Sequence, residues 1–355
     1  MRYWVFVFVL ILVSFGLSGV LYIRGEFGEV ASRTGLAQLV SIKEALRSRT
    51  SPSTGSGDNG ARQAQDIRGR QARETSLLFV GDVMLARGVQ GQIRKHSDFS
   101  YPFRQIVSTL READFVFGNL EGPISSRGAN QGSEYSFRAD PRAVEGLKFA
   151  GFDVLSLANN HIWDWGTPAL LDTVDILNGA GIRAVGVGAN ADVANAPAIV
   201  NVSGTRLGVL AYTNLYPEGL VAGENSPGVS NSQLERVVED IRAVRNQVDL
   251  VIVSYHWGEE YVPEPSPERR ELARAIIDAG ADLIIGHHPH VVQEVEKYKD
   301  GWVAYSLGNF VFDQNFSEET MRGEMLRVVV RGGEISRVEK VPIRISKTFQ
   351  PYVVQ

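Results

Sequence analysis

Histidine is scarce in this chain, and its placement is the first chemical signal. Six histidines occur in 355 residues, and five of them lie just beyond short apolar runs: His161, His256, His287, His288 and His290. Carboxylates and amides share those positions. Asp82 follows the apolar start of LLFVGDVML, and Asn119 and Glu121 lie in FVFGNLEG. Asn159, Asn160, His161 and Asp164 fall in LSLANNHIWDWG, and His256, Glu259 and Glu260 in VIVSYHWGEEY. The last three histidines close LIIGHHPH. Imidazole combined with carboxylate and amide oxygen is a donor set for Mn, Fe or Zn. Two ions about 3.5–4 Å apart need roughly six to eight donors, a number these turns could supply. One ion needs fewer. A single histidine in such a place packs or caps as readily as it ligates; five together are the informative pattern. His96, in RKHSD, reads as a solvated surface residue.

Competing chemistries are absent from the sequence. There is no cysteine, hence no disulfide scaffold, thiolate zinc site or cysteine nucleophile. No Ser-His-Asp order and no G-x-S-x-G elbow is found. Gly186-Val187-Gly188 lacks the further glycine and lysine of a phosphate loop and reads as a tight turn. A formal charge of −5 argues against nucleic-acid binding through bulk positive charge.

The elements that must position these residues are legible as alternation. Leu77–Val80, Phe115–Phe117, Val154–Leu157, Leu207–Thr213, Leu250–Ser254 and Leu283–Ile285 are brief runs rich in Val, Ile, Leu and Phe. Helical patterns separate several of them: Pro141–Ala150, Pro168–Ala180, Ser232–Asn246 and Pro267–Ala279. Several start at Ser or Pro and end near Gly or Asn, as helix boundaries favour. Alternation of this kind predicts an α/β fold with buried sheet, whose ligand crevice lies at the C-terminal strand ends. After Gly301 the pattern changes to strands, Trp302–Leu307, Met325–Arg331 and Ile335–Ile343, read as antiparallel pairs with a hairpin turn at Arg331-Gly332-Gly333-Glu334.

The first 75 residues are of another kind. Tyr3 to Ile23 is a stretch of 21 residues without charge, bracketed by Arg2 and Arg24. At about 1.5 Å per residue it can span a hydrocarbon core of about 30 Å. The apolar region of a cleaved signal peptide is shorter, roughly 7–15 residues. The expectation is therefore an uncleaved anchor over 1–24, with the globular domain outside the cytoplasm. Leu36–Leu46 has helical spacing, and Thr50–Ser76 is rich in Ser, Gly, Gln and Arg with Ile67 its only large apolar residue. Residues 25–75 thus read as a juxtamembrane segment and flexible linker, and 76–355 as the working domain. The first 75 residues hold ten Lys/Arg against six Asp/Glu, so the negative charge belongs to the domain.

In order, GDVMLAR, NLEGPIS, LANNHIWDWG, SYHWGEEY, GHHPHVVQ and YSLGNFVFD resemble the CapA family of bacterial capsule-synthesis proteins, of the poly-γ-glutamate type. The resemblance runs from Leu77 to Ile343, and the family is similar to the calcineurin-like metallophosphoesterases. It implies a four-layer α-β-β-α sandwich with one or two divalent ions at its strand ends. By that resemblance Asp82, Asn160, His256, His288 and His290 are metal ligands, and His161 is the proton donor to a leaving group. His287 is an unassigned neighbour. Two positions depart from the phosphoesterase pattern. Met84 stands where a histidine ligand would be, and a thioether is a poor ligand for a hard dication. Asn119 falls near the bridging aspartate, with Glu121 two residues on as a substitute ligand.

The remaining roles follow. Asp164 is expected to orient the His161 ring, with a helix N-cap as the alternative. Asn119, Arg138 and Asn309 are expected to hold an anionic substrate. The expected function is synthesis, export or attachment of an anionic cell-surface polymer, with the cell membrane, the polymer or its precursor and other membrane subunits as partners. A general metal-dependent phosphoesterase and a non-catalytic binding or assembly subunit are the alternatives.

Overall fold

The computed structural model describes residues 74–216 and 218–354. The anchor expected at 1–24 and nearly all of the linker expected at 25–75 lie outside the described residues. Among the described residues no helix is long and apolar enough to cross a membrane.

Two mixed sheets carry the domain. The first runs in the order β16 (Pro351–Val353), β15 (Glu334–Ile345), β14 (Arg322–Arg331), β1 (Thr75–Val83), β2 (Phe115–Leu120), β3 (Val154–Ser156), β4 (Arg183–Val185). Strands β1 to β4 are parallel and β14 to β16 antiparallel, while β13 (Asn309–Val311) joins the C-terminal end of β1 in parallel. The second runs β11 (Val295–Tyr298), β12 (Gly301–Ala304), β10 (Leu283–His287), β9 (Leu250–His256), β7 (Thr205–Thr213), β6 (Ala198–Val202). Its four central strands are parallel and its two edges antiparallel. A short ladder pairs β5 (Val187–Gly188) with β8 (Gly228–Val229).

Alternation of side chains along strands buried on both faces creates three cores. Leu77 and Phe79 of β1, with Phe115 and Phe117 of β2, meet Val209, Ile252 and Ile285 of the second sheet. Leu78 and Val80 point the other way. They pack beneath α1 (Arg87–His96), α2 (Val107–Arg111), α3 (Ala143–Ala150) and α4 (Gly166–Gly179) through Ile93, Leu110, Leu147 and Leu170. The outer face of the second sheet, including Val251, Val253 and Ile284, is covered by Ile241 of α6 (Leu234–Arg245) and Ile276 of α7 (Pro267–Ala279). A further short helix, α5 (Ala191–Asn195), follows β5. Each fully buried Leu or Phe side chain contributes about 1.5–3 kcal/mol, so these cores favour strands continuously apolar on both faces.

Local chemistry sets the boundaries. Ser266 caps α7 by accepting from the Arg269 N–H, Pro267 occupies its first turn, and Gly280 ends it in the left-handed region. Gly332 and Gly333 both take positive φ in the two-residue turn between β14 and β15, as the predicted hairpin requires. The structure corrects one detail. Beyond Gly301, β12 is antiparallel to β11 but parallel to β10, and β13 is parallel to β1. Orientation within a sheet depends on remote partners, which the local pattern does not encode.

Next to the site, the backbone of β1 touches the segment leading into β13. The Asp82 N–H donates to the Gly308 carbonyl at 3.0 Å. A Cβ on Gly81 would lie 1.9 Å from that carbonyl oxygen. Gly81→Ala is therefore expected to cost about 3 kcal/mol, the upper range for overpacking, and to lower the thermal midpoint by several degrees. An unchanged midpoint would refute this close approach.

Candidate metal centre

Strand register gathers the polar residues at one end of both sheets. Asp82 lies opposite Asn119 across β1 and β2, and opposite Asn309 across β1 and β13. His256 lies opposite His287 across β9 and β10. Glu121 follows β2, Asn159 to His161 follow β3, and His288 and His290 follow β10. All but Asn160 are buried.

Hydrogen bonds fix which atoms face inward. The Asn159 amide donates to the Leu120 carbonyl at 2.7 Å and to Asn119 Oδ1 at 3.1 Å. With its oxygen thus accepting, Asn119 must present its Nδ2 to Asp82 Oδ1 at 2.8 Å and to His256 Nδ1 at 3.3 Å. His256 then carries its proton on Nε2, which donates to Asn160 Oδ1 at 2.9 Å. Similarly, Asn309 Nδ2 donates to the Thr320 carbonyl at 3.1 Å, so its Oδ1 accepts from His290 Nδ1 at 2.9 Å. That leaves Nε2 of His290 as the free lone pair of the neutral ring. His161 donates from Nδ1 to Asp164 Oδ2 at 2.8 Å, which likewise turns its Nε2 to the site.

Glu121 is where these arrangements converge. Its Oε1 lies 3.7 Å from His290 Nε2 and 3.8 Å from His161 Nε2. It is 1% exposed, and neither carboxylate oxygen has a hydrogen-bond partner among the described residues. A buried, unpartnered carboxylate is costly. A buried carboxylate facing two imidazole Nε2 atoms without a hydrogen bond is the environment a cation or a proton relieves. One donor atom each from Asp82, Glu121 and His290 lie within 4.8 Å of one another, so these residues fit a divalent ion.

Electrostatics agree with that arrangement. Burial would raise the Asp82 pKa, but contacts with His287 and His290 outweigh it and hold the carboxyl well below its ordinary value. Burial pushes Glu121 well above the usual carboxylate range. Burial, reinforced by neighbouring imidazoles, lowers His256 well below its ordinary value and His288 to about 3, so both stay neutral. His290 moves the opposite way: burial opposes its charge, but Glu121 and Asp82 prevail and raise it to about 9.

Several positions do other work than the sequence suggests. The Asn119 amide braces Asp82 and His256, and the Asn309 amide is committed to His290, Gln314 and Thr320. Arg138 lays its guanidinium over the Trp165 ring, 3.4 Å from the centroid. Met84 Sδ accepts from the Ala86 N–H at 3.1 Å. Asp164 orients His161 and also accepts from the Phe137 N–H at 2.7 Å and from Ser133 at 2.7 Å. Phe137 stacks on the His161 ring with centroids 3.9 Å apart. Sequence reasoning assigned no role to His287, whose Nδ1 lies 3.3 Å from Asp82 Oδ1 without hydrogen-bond alignment. It also missed the relay through Asn159. Adjacency to assigned residues was the only sequence signal for either.

Two facing mixed sheets with helices outside, and a donor cluster at their strand ends, define an α/β fold similar to metallophosphoesterase-like structures. A solved phosphatase from Mycoplasma pneumoniae shares the fold, with a TM-score of 0.52 at 15% identity, covering 77% of this chain and 95% of that one. Residues 76–314 match the model of the bacterial capsule synthesis protein PGA_cap family, and the chain belongs to that family. Among its relatives, a capsule biosynthesis protein CapA from Bacillus anthracis is 34% identical, over 79% of this chain and 70% of its own. A PGA biosynthesis protein CapA from Bacillus subtilis is 34% identical, over 76% and 71%. A probable polyglutamine synthesis accessory protein from Mycobacterium tuberculosis is 30% identical, over 79% and 78%.

An ion binding at Glu121 and His290 must displace the second proton of the His290 ring. Because that pKa is raised to about 9, affinity for Mn(II) or Zn(II) is expected to rise about tenfold per pH unit between pH 6 and 8 and to level off above about 9. Calorimetry in buffers of different ionisation enthalpy should detect at least one proton released per ion. Binding independent of pH, with no proton release, would contradict this.

Proposed function

We propose that this chain acts in the synthesis, export or attachment of an anionic cell-surface polymer of the poly-γ-glutamate type, through a site that holds a divalent ion, Mn, Fe or Zn. Asp82, Glu121 and His290 would hold it, with His288 and the remaining lone pair of Asn160 Oδ1 as further candidate donors; His256, tied to Asn119 and Asn160, would brace the site instead of ligating. In this reading residues 1–24 anchor the chain in the cell membrane and the domain works outside the cytoplasm beside other membrane subunits. The relatives' capsule and PGA biosynthesis names support the pathway. The observation that carries the metal reading is the buried Glu121 carboxylate, facing two Nε2 atoms and lacking a hydrogen-bond partner among the described residues.

When bound, such an ion supplies Lewis acidity and stabilises developing negative charge. The chain's own contribution is proton handling and positioning. With Nδ1 tied to Asp164, a protonated His161 carries its second proton on Nε2, facing the site. From there it can be passed to a leaving group. Asp164 holds that tautomer, and Phe137 stacked on the ring limits its rotation. Burial of His256, His287 and His290 keeps bulk water away from the inner wall.

One set of observations favours a second reading, a binding or assembly subunit without turnover. Asn119 gives Asp82 a hydrogen bond where a second carboxylate would share an ion, and Met84 turns its sulfur to the backbone. Both reduce the donor set.

The readings separate on turnover. The metal-loaded chain is expected to hydrolyse bis(p-nitrophenyl) phosphate or a γ-glutamyl polymer. His161→Ala should lower kcat by about 10²–10⁴-fold at unchanged metal content, and Asp164→Asn should lower it less. Metal-dependent retention of poly-γ-glutamate, with no turnover of either substrate, would instead establish the binding subunit.

A further inference from the structure

The loop after β9 carries two adjacent exposed glutamates, Glu259 and Glu260, with no role in the site described so far. Their surroundings differ. Glu259 acts electrostatically on Arg269 of α7. Glu260 offers a carboxylate oxygen to a second group of donors: it, one ring nitrogen of His288 and one of His290 all lie within 4.8 Å of one another.

Two backbone hydrogen bonds register this loop against the loop of the histidines. The Trp257 N–H donates to the His287 carbonyl at 3.1 Å, and the Tyr261 N–H donates to the Pro289 carbonyl at 2.8 Å. Glu260 lies between those ties, so its backbone is held beside His288 and His290. His288 adds an independent sign. It is 7% exposed, and its Nδ1 is buried without a hydrogen-bond partner among the described residues.

The two donor groups meet at His290. Its Nδ1 is committed to Asn309, so Nε2 alone is available, and one nitrogen lone pair serves one ion. An ion at that nitrogen would have the buried carboxylate of Glu121 and the exposed carboxylate of Glu260 as candidate donors. We propose that Glu260 is a ligand on the solvent side of the ion held at His290, with His288 beside it. The inference rests on the metal reading above and adds to it a ligand that the ordered motifs did not assign. A carboxylate on an exposed loop can exchange with water or with an incoming anionic group, while the buried donors keep the ion in place.

Calorimetric titration of the full chain with Mn(II) and Zn(II) tests this, using Glu260→Gln, Glu259→Gln and Glu121→Gln. Both loop variants change an exposed side chain and are expected to keep the parent's thermal midpoint in chelator. Glu260→Gln should weaken binding at least tenfold, since even indirect partners of a metal site are worth about 10–100-fold. Glu259→Gln should bind like the parent. Should Glu260→Gln match the parent while Glu121→Gln weakens, the solvent-side ligand is overturned and the metal centre stands. Equal weakening by Glu259→Gln and Glu260→Gln would also overturn it, because general surface charge would then explain both. A parent that binds neither ion overturns the metal centre and this inference together.

Discussion

The organisation of this domain depends on keeping negative charge out of water. Asp82 and Glu121 are both essentially unexposed, at the ends of neighbouring parallel strands. An isolated buried carboxylate costs several kcal/mol or more unless it is paired or hydrogen-bonded. The two are treated differently. Asp82 receives an amide from Asn119, a backbone N–H from His288 and close imidazoles from His287 and His290. Among the described residues, Glu121 has two imidazoles at the outer limit of contact and no hydrogen bond. One carboxylate is internally compensated, while the other is left for something that arrives. The four-layer packing makes this imbalance tolerable, because it holds the surrounding strands in register.

Asparagine shows how a neutral residue can organise such a place. The amides of Asn119, Asn159 and Asn309 are each oriented by at least one unambiguous partner, and each passes that orientation on. Their combined effect is to select ring tautomers, leaving Nε2 of His290 unencumbered and Nδ1 of His256 occupied. Substituting an amide for a carboxylate at Asn119 removes a charge that would repel Asp82 and supplies a donor in its place. The Asn119 oxygen is itself taken by the Asn159 amide, so this residue presents only its NH2 group towards Asp82 and His256.

Much of this was legible before any coordinates. Apolar runs ending in Asp82, His256 and His287 mark strands whose C-terminal ends must come together, because a parallel sheet orients its ends alike. The helices at 168–180 and 267–279 were equally plain from spacing and caps. What escaped was short or locally ambiguous. Helix α1 contains two glycines among its ten residues, which masks its helical pattern. Strand β13 has only three residues and makes sense only beside β1. Side-chain destinations were less legible still. Arg138 found an aromatic face and Asn309 found His290, outcomes set by residues remote in sequence. Composition could place Glu260 near a histidine, but it could not choose between Glu259 and Glu260, which differ only in the direction the loop gives them.

Asp164 joins the segment 133–137 to the turn that carries His161, reinforcing the stacking of Phe137 on that ring. One of its oxygens accepts from both the His161 ring and the Phe137 backbone, and the other accepts from Ser133 on the exposed stretch leading to Phe137. The stretch and the ring are thus fastened by one carboxylate. Peeling the stretch away exposes that carboxylate to water, loosens the ring's tether and removes the Phe137 face from its side. A molecule lying across residues 133–137 would therefore meet the same carboxylate that fixes the His161 ring, so what touches the surface there and the aim of a buried imidazole share one anchor.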